Sequence, residues 1–464
     1  MSRLVVVSNR VADPTAVQSG GLAVAVGDAL QDGNGIWFGW NGEINENAEK
    51  SGVNLERRGG VTLATLPLSQ SEYDTYYLGY SNRALWPVFH YRLDLAEFDI
   101  QALEGYRSVN RRFAKSIAAL IDPSDVVWIH DYHLIPLAAE LRKLGAENRI
   151  GFFLHIPFPP PEIIAAVPDH GWLFDTLHAY DVVGFQTEQD LSNFNRYVEQ
   201  SMASAGPVTH PFRNGTRKML AKTYPIGIDV DSFITMAHTP KATERIQRLT
   251  RGEVRNHVIG VERLDYSKGL PDRFRSFRRF LEQYPDQRKK TVLMQIAPPT
   301  RGELAAYAEI RTELEQLSGA INGAFGDFDW TPVRYIHRSV PRDTLAALFR
   351  GSKVGLVTPL RDGMNLVAKE YVAAQEPDDP GVLILSRFAG AAADMEEALI
   401  VNPYDADEVA KALYNAVTME LDERLDRHGK LLARVRKNDI AAWRMAFMQD
   451  LRNPETQPPP DQTA

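Results

Sequence analysis

Five charged or titratable residues stand directly behind short apolar runs. They are Arg10 after LVVVSN, Asp131 after VVWIH, His155 after FFL, Arg263 after VIGVE and Asp362 after VGLVTPLR. If those runs are parallel strands, all five lie at strand carboxyl ends, where open α/β sheets bind ligands. A single such residue reads more simply as a solvated or capping group. Five in one chain point to a site that handles a polar ligand.

In VERLDYSKGL, Arg263 and Lys268 flank a turn ending at Gly269, just ahead of a helix that Pro271 opens. Two cations at a helix amino terminus suit a diphosphate. Asp265 offers a plainer alternative, a surface ion pair with either cation. In LRDGMNLVAKEYVAAQ, a turn at Asp362-Gly363 leads into a helix from about Asn365, whose free backbone N–H groups form an anion site. Glu370 falls in the first or second turn of that helix. Its two carboxylate oxygens could hold sugar hydroxyls, against a structural alternative of dipole complementation worth ~0.3–1 kcal/mol. Gly20-Gly21 could let backbone approach a phosphate, although a glycine pair alone is only a loop.

Three patterns resemble metal sites and are set aside. HDYH at 130–133 lacks a third ligand at a usual spacing. Asp229-Val230-Asp231 and Asp327-Phe328-Asp329 resemble the Asp-x-Asp that holds a divalent cation on a diphosphate, but neither falls beside the basic cluster. Arg263 and Lys268 could neutralise a leaving diphosphate themselves, so the expectation is no metal and no other cofactor. None of the 11 histidines is assigned as a general base.

The elements that must position these residues are legible as eight buried runs: 4–7, 126–129, 150–154, 182–185, 258–261, 292–296, 354–357 and 382–385. Helix signals separate them, such as Pro271 and Pro341, which predicts an α/β chain with crossover helices. A boundary is expected in the stretch 229–255, giving domains over 1–235 and 236–440. ALIVNPYD reads as a last strand, followed by helical periodicity over 407–451 with a break at Asn438-Asp439. A terminal helix over 441–453 is expected to pack on the first domain, and 454–464 to be a disordered tail. Two doubly wound domains facing each other would bring both sets of strand ends to one cleft.

The chain has 464 residues, 44% apolar and 24% charged, which suits two or three soluble globular domains. Its net charge of −8, with both signs interspersed, argues against nucleic acid and suits a local basic cluster for a small phosphorylated ligand. There is no cysteine, which removes disulfides and thiolate chemistry together. No segment has the apolar length of a membrane span or a signal peptide, so the cytoplasm is expected.

Longer strings carry a family resemblance. LVVVSNR, GGLAVAV, WFGWNGE, LWPVFHYR, VVWIHDYHL, IGFFLHIPFP, VGFQTE, YPIGID, VERLDYSKGLPDRF, QIAPPTRGE, INGAFG and TPLRDGMNLVAKEYVAAQ resemble the trehalose-6-phosphate synthases, retaining GT-B glycosyltransferases of family 20. The resemblance implies two Rossmann-like domains with the active site between them, and transfer of glucose from UDP-glucose to glucose 6-phosphate. On the donor side it implies Arg263 and Lys268 on the diphosphate. Val340 would lie near the base, and Met364, Asn365, Leu366 and Val367 would support the nucleotide, with Glu370 on the ribose. Asp362 and His155 would contact the donor glucose beneath Gly20 and Gly21. On the acceptor side, Arg10, Tyr77 and Arg301 would grip the phosphate and Asp131 would orient the sugar, while Trp86 and Ile156 would favour its α-anomer. Front-face departure is implied, with the donor phosphate taking the acceptor proton.

The loop Val11–Ser19 looks short for the family, and Val340 leaves the base preference open. No second catalytic module is expected after residue 451, so the phosphatase domain that some members carry is not expected here and a separate phosphatase would act on the product. Relatives form dimers or tetramers, so self-association is expected. Two alternatives share the fold: a silent glucose 6-phosphate sensor and a pseudo-glycosyltransferase. The donor residues Arg263, Lys268, Asp362 and Glu370 argue against the sensor, and the complete set of sugar-contacting positions against the pseudo-glycosyltransferase.

Overall fold

The computed structural model describes residues 2–11, 30, 35–48, 51–204, 219–249, 256–300, 302 and 304–453. The chain forms two compact units: Met1–Pro225 together with Ala441–Ala464, and Ile226–Ile440.

The first unit carries β1 (Leu4–Arg10), β2 (Ile36–Ile44), β3 (Asn54–Arg58), β4 (Val61–Leu68), β5 (Val126–His130), β6 (Arg149–Phe153), β7 (Val182–Phe185) and β8 (Leu220–Thr223). They form one sheet in the order β3-β4-β2-β1-β5-β6-β7-β8, in which only β3 runs antiparallel, against β4. The second unit carries β9 (Asn256–Val261), β10 (Thr291–Ile296), β11 (Val333–Ile336), β12 (Val354–Val357), β13 (Val382–Ser386) and β14 (Leu399–Val401). These form an all-parallel sheet in the order β11-β10-β9-β12-β13-β14.

Each sheet has one point where the strand order reverses. In the first it lies between β1 and β5, and in the second between β9 and β12. Crossovers leave in opposite directions there, opening a crevice at the carboxyl ends. Helices cover both faces of the sheets, so β5 and β12, which flank these points, and β13 beside β12 are buried along their whole length.

All eight expected runs are strands, as is the Leu399–Val401 segment. The chain divides at Pro225, ahead of the expected boundary at residue 235. Segment 226–237 packs with the second unit, where Lys369 Nζ donates to the Ile226 carbonyl at 2.8 Å and the Ile440 N–H to that of Ile228 at 3.1 Å.

The helix Leu421–Lys437 ends at the expected break, and a further helix, Ile440–Arg452, follows. Its Phe447 stacks on Trp128 of β5 at 4.7 Å, and Trp443 lies 4.9 Å from the same indole. Gly151 on β6 makes room, since a Cβ there would come within 2.7 Å of the Phe447 ring. Arg149 Nε donates to the Leu451 carbonyl at 3.1 Å, and Tyr224 Oη to Asp450 at 2.7 Å. The tail 454–464 lies outside the described residues.

Candidate active site

At the reversal point of the first sheet, β1 delivers Arg10 and β5 delivers Asp131. Arg10 is exposed, with its guanidinium carbon 5.6 Å from the Trp40 ring centre. Tyr77 projects from a π-helix, Tyr73–Leu85, and packs between Trp40 at 5.7 Å and the parallel ring of His133 at 6.0 Å. Wide helical turns of this kind recur at functional sites. Arg10 and Tyr77 therefore share Trp40 as a neighbour.

Asp131 adopts φ 75°, ψ 165°, a region that is essentially glycine's. Its own N–H donates to the Phe153 carbonyl at 2.8 Å, and its carboxylate accepts the His155 N–H at 3.3 Å. These two bonds tie it to β6 and its carboxyl end. His155 Nε2 lies 3.1 Å from Nδ1 of the fully buried His130. Burial pushes His155 down to about 3 and His130 well below its ordinary value, so both imidazoles stay neutral and act by hydrogen bonding. Trp86 and Ile156 are buried, Trp86 packing against His90 and Tyr132.

At the reversal point of the second sheet, the residues behind β9 and β12 converge. Lys268 Nζ donates to Asp362 Oδ2 at 2.5 Å, and Asn365 Nδ2 donates to the same oxygen at 3.0 Å. Arg263 is exposed on the same turn. Asp265 does not behave as a surface group. It is fully buried, accepting from Ser267 N–H at 2.9 Å and from Tyr307 Oη at 3.1 Å, and so shapes the turn that carries Lys268.

The helix Leu366–Ala374 starts behind Asn365, whose φ is 72° and whose side chain makes no cap bond. The first N–H groups of this helix, those of Leu366 and Val367 included, have no partner one turn back within it. Met364 is buried, and its carbonyl takes the Ala391 N–H at 2.8 Å. Glu370 sits on the second turn with Arg342 at 3.7 Å, and burial pushes its carboxyl up to about 7 against the pull of that guanidinium. Val340 is half-buried two positions before Arg342. Gly20, Gly21 and Arg301 lie outside the described residues.

The set-aside patterns have other work. Asp229 caps the helix Val230–Ala237, Asp327 pairs with Lys289, and His130 and His133 pack as described above. Sequence reasoning missed His130 as the partner of His155, and it missed Glu262, which accepts from Asn365 Nδ2 at 2.9 Å. Glu262 had a signal: it is an acid placed immediately behind a buried strand, one position before Arg263.

Comparison with known proteins shows the family and the fold. The model of glycosyltransferase family 20 matches residues 6–453. A trehalose-6-phosphate synthase of Klebsiella pneumoniae is 49% identical, covering 98% of this chain and 96% of that protein. The crystal structure of a UDP-forming alpha,alpha-trehalose-phosphate synthase from Burkholderia vietnamiensis is 50% identical, with a TM-score of 0.92 over 97% of this chain and 99% of that one. A Burkholderia xenovorans enzyme of the same description, in complex with glucose-6-phosphate, is 48% identical, with a TM-score of 0.89 over 97% of this chain and 100% of that one. The fold is the GT-B type, built from two doubly wound α/β units.

Proposed function

The chain belongs to glycosyltransferase family 20, and from that membership we propose how its residues divide the work of one hexosyl transfer. Glucose passes from UDP-glucose to glucose 6-phosphate, giving trehalose 6-phosphate and UDP. The observation that carries the assignment of the donor side is the joined Lys268, Asp362 and Asn365 cluster, beside exposed Arg263 and a helix amino terminus.

In this reading Arg263 and Lys268 neutralise the donor diphosphate, and the N–H groups at Leu366 and Val367 add donors to it. Glu370 accepts the ribose hydroxyls, and Val340 borders the base. Asp362 and His155 hold hydroxyls of the donor glucose, with Gly20 and Gly21 supplying backbone. Arg10, Tyr77 and Arg301 bind the acceptor phosphate. Asp131 orients the acceptor sugar, whose α-anomer Trp86 and Ile156 select.

The bond from the donor anomeric carbon to the phosphate breaks as the acceptor's anomeric hydroxyl arrives on the same face. The hydroxyl proton passes to the departing phosphate oxygen, and Arg263 and Lys268 stabilise the charge that develops there. This route retains configuration without a carboxylate nucleophile. With donor labelled by carbon-13 at the anomeric position, NMR should show one phosphorylated disaccharide with both anomeric centres α. A β linkage, or a glucosyl-protein adduct trapped by mass spectrometry, would overturn the route. A silent sensor is disfavoured because its donor residues would be free to decay, and here they are intact.

No helix among the described residues is long and apolar enough to cross a membrane. Absence of cysteine suits a reducing compartment, and we place the protein in the cytoplasm, which fractionation would test. Self-association follows by family resemblance and is checked by light scattering. We propose that a separate phosphatase removes the product's phosphate, and purified protein should then release no inorganic phosphate from trehalose 6-phosphate.

A further inference from the structure

Beneath the donor-side cluster lies a second layer of charge that the transfer reaction leaves without a task. Glu262, directly behind β9, is 5% exposed, and Arg273, on the helix Leu270–Gln283, is 1% exposed. Arg273 Nε donates to Thr358 Oγ1 at 3.0 Å and Nη1 to Gln295 Oε1 at 2.9 Å, while Nη2 lies 3.7 Å from Glu262 Oε1. Gly260 makes the space, since a Cβ there would stand 2.5 Å from both Arg273 Nη1 and Gln295 Oε1. A buried ion pair is seldom more stabilising than apolar residues of the same volume, so its presence under a site calls for another reason.

Asn365 supplies that reason. Its amide nitrogen donates to Glu262 Oε1 at 2.9 Å and to Asp362 Oδ2 at 3.0 Å. Ionised carboxylates only accept, so the nitrogen must face both of them and the amide has one permitted orientation. Burial raises the Glu262 carboxyl above its ordinary value, against the pull of the Lys268 and Arg273 cations. Asp362 Oδ2 then receives both Asn365 and Lys268, and Oδ1 is the oxygen left to face a ligand.

We propose that Glu262, seated on Arg273, is a positioning residue for the transfer: it fixes the Asn365 amide, and through it the Asp362 carboxylate and the left-handed backbone that starts the Leu366–Ala374 helix. The proposal rests on the reading that Asp362 and Asn365 hold the donor. A misplacement of that cluster would be felt in donor use, because errors near 1 Å can cost about a hundredfold in rate.

Two double variants test it. E262L/R273M removes both charges together, stranding neither, and takes away the oxygen that Asn365 needs. E262Q/R273M removes the same charges but keeps an acceptor oxygen there. Donor and acceptor are varied in turn in steady-state kinetics, and thermal unfolding is followed alongside. E262L/R273M should lose about ten- to a hundredfold in kcat/KM for UDP-glucose, with KM for glucose 6-phosphate within about twofold of wild type. E262Q/R273M should recover most of that loss at a similar Tm. Equal donor kinetics in the two doubles, whether normal or impaired, would show that the oxygen does not matter and overturn the proposal. Should the leucine double fail to fold, E262D makes the same comparison, since it keeps the charge but withdraws the oxygen, and wild-type donor kinetics there would overturn it. An inactive wild-type protein would instead sink the donor-site reading itself.

Discussion

Asp131 keeps a backbone conformation that costs a non-glycine residue about 1–3 kcal/mol, and bonds to Phe153 and His155 hold it there. Strain of that kind persists where a side chain must point one way, which fits a residue that orients a sugar. Arg10 is different, being exposed at a strand end. Arg10→Ala should leave the fold intact and raise KM for glucose 6-phosphate about ten- to a hundredfold, as expected for one lost charge-assisted contact, with donor KM little changed in initial-rate assays. Glu370 should impose a pH dependence. Burial pushes its carboxyl up to about 7, so a falling pH protonates it and removes the acceptors proposed for the ribose. KM for UDP-glucose should rise about tenfold between roughly pH 8 and pH 6, and Glu370→Gln should flatten that profile at its acid-side value. His155 adds no inflection in this window, because burial holds it at about 3. Residue types at strand ends were readable because the chemistry is written in side chains. The pairing of Lys268 with Asp362, rather than with nearby Asp265, was not, since residues 94 apart in sequence meet only through the sheet.

At the scale of elements, the strands that the sequence announces are the doubly buried ones, whose unbroken apolar runs have no other use. β3, with its sequence NLERR, is an exposed antiparallel edge without alternation, and β8, LAKT, is too short and polar to signal itself. The break between the helices Ala406–Thr418 and Leu421–Lys437 also passed unnoticed, because Met419-Glu420 is no helix breaker and tertiary packing decides the turn. The terminal helix gives an element-scale prediction. Phe447→Ala removes the ring seated on Trp128 and above Gly151. It should cost about 3–5 kcal/mol of the first unit's stability, seen as a Tm several degrees lower, whereas Met445→Ala on the exposed face of the same helix should change Tm little.

Across the whole molecule, Arg10 ends and Asp131 follows the strands at the reversal in the first unit, and Arg263, Lys268 and Asp362 stand behind those at the reversal in the second. The division between units comes at Pro225, ahead of the turn signals after residue 229, because the packing of Ile226 and Ile228 is set by residues far along the chain. Since two cations are assigned to the diphosphate, turnover should be unchanged in excess chelator, and a loss restored by a divalent ion would refute that assignment. The most direct test of the central claim is nucleotide release from UDP-glucose and, separately, GDP-glucose, each with and without glucose 6-phosphate, with mass analysis of the product. UDP release that requires glucose 6-phosphate and yields a phosphorylated disaccharide is the expected result. Tight binding of glucose 6-phosphate without nucleotide release, or release indifferent to it, would contradict the account.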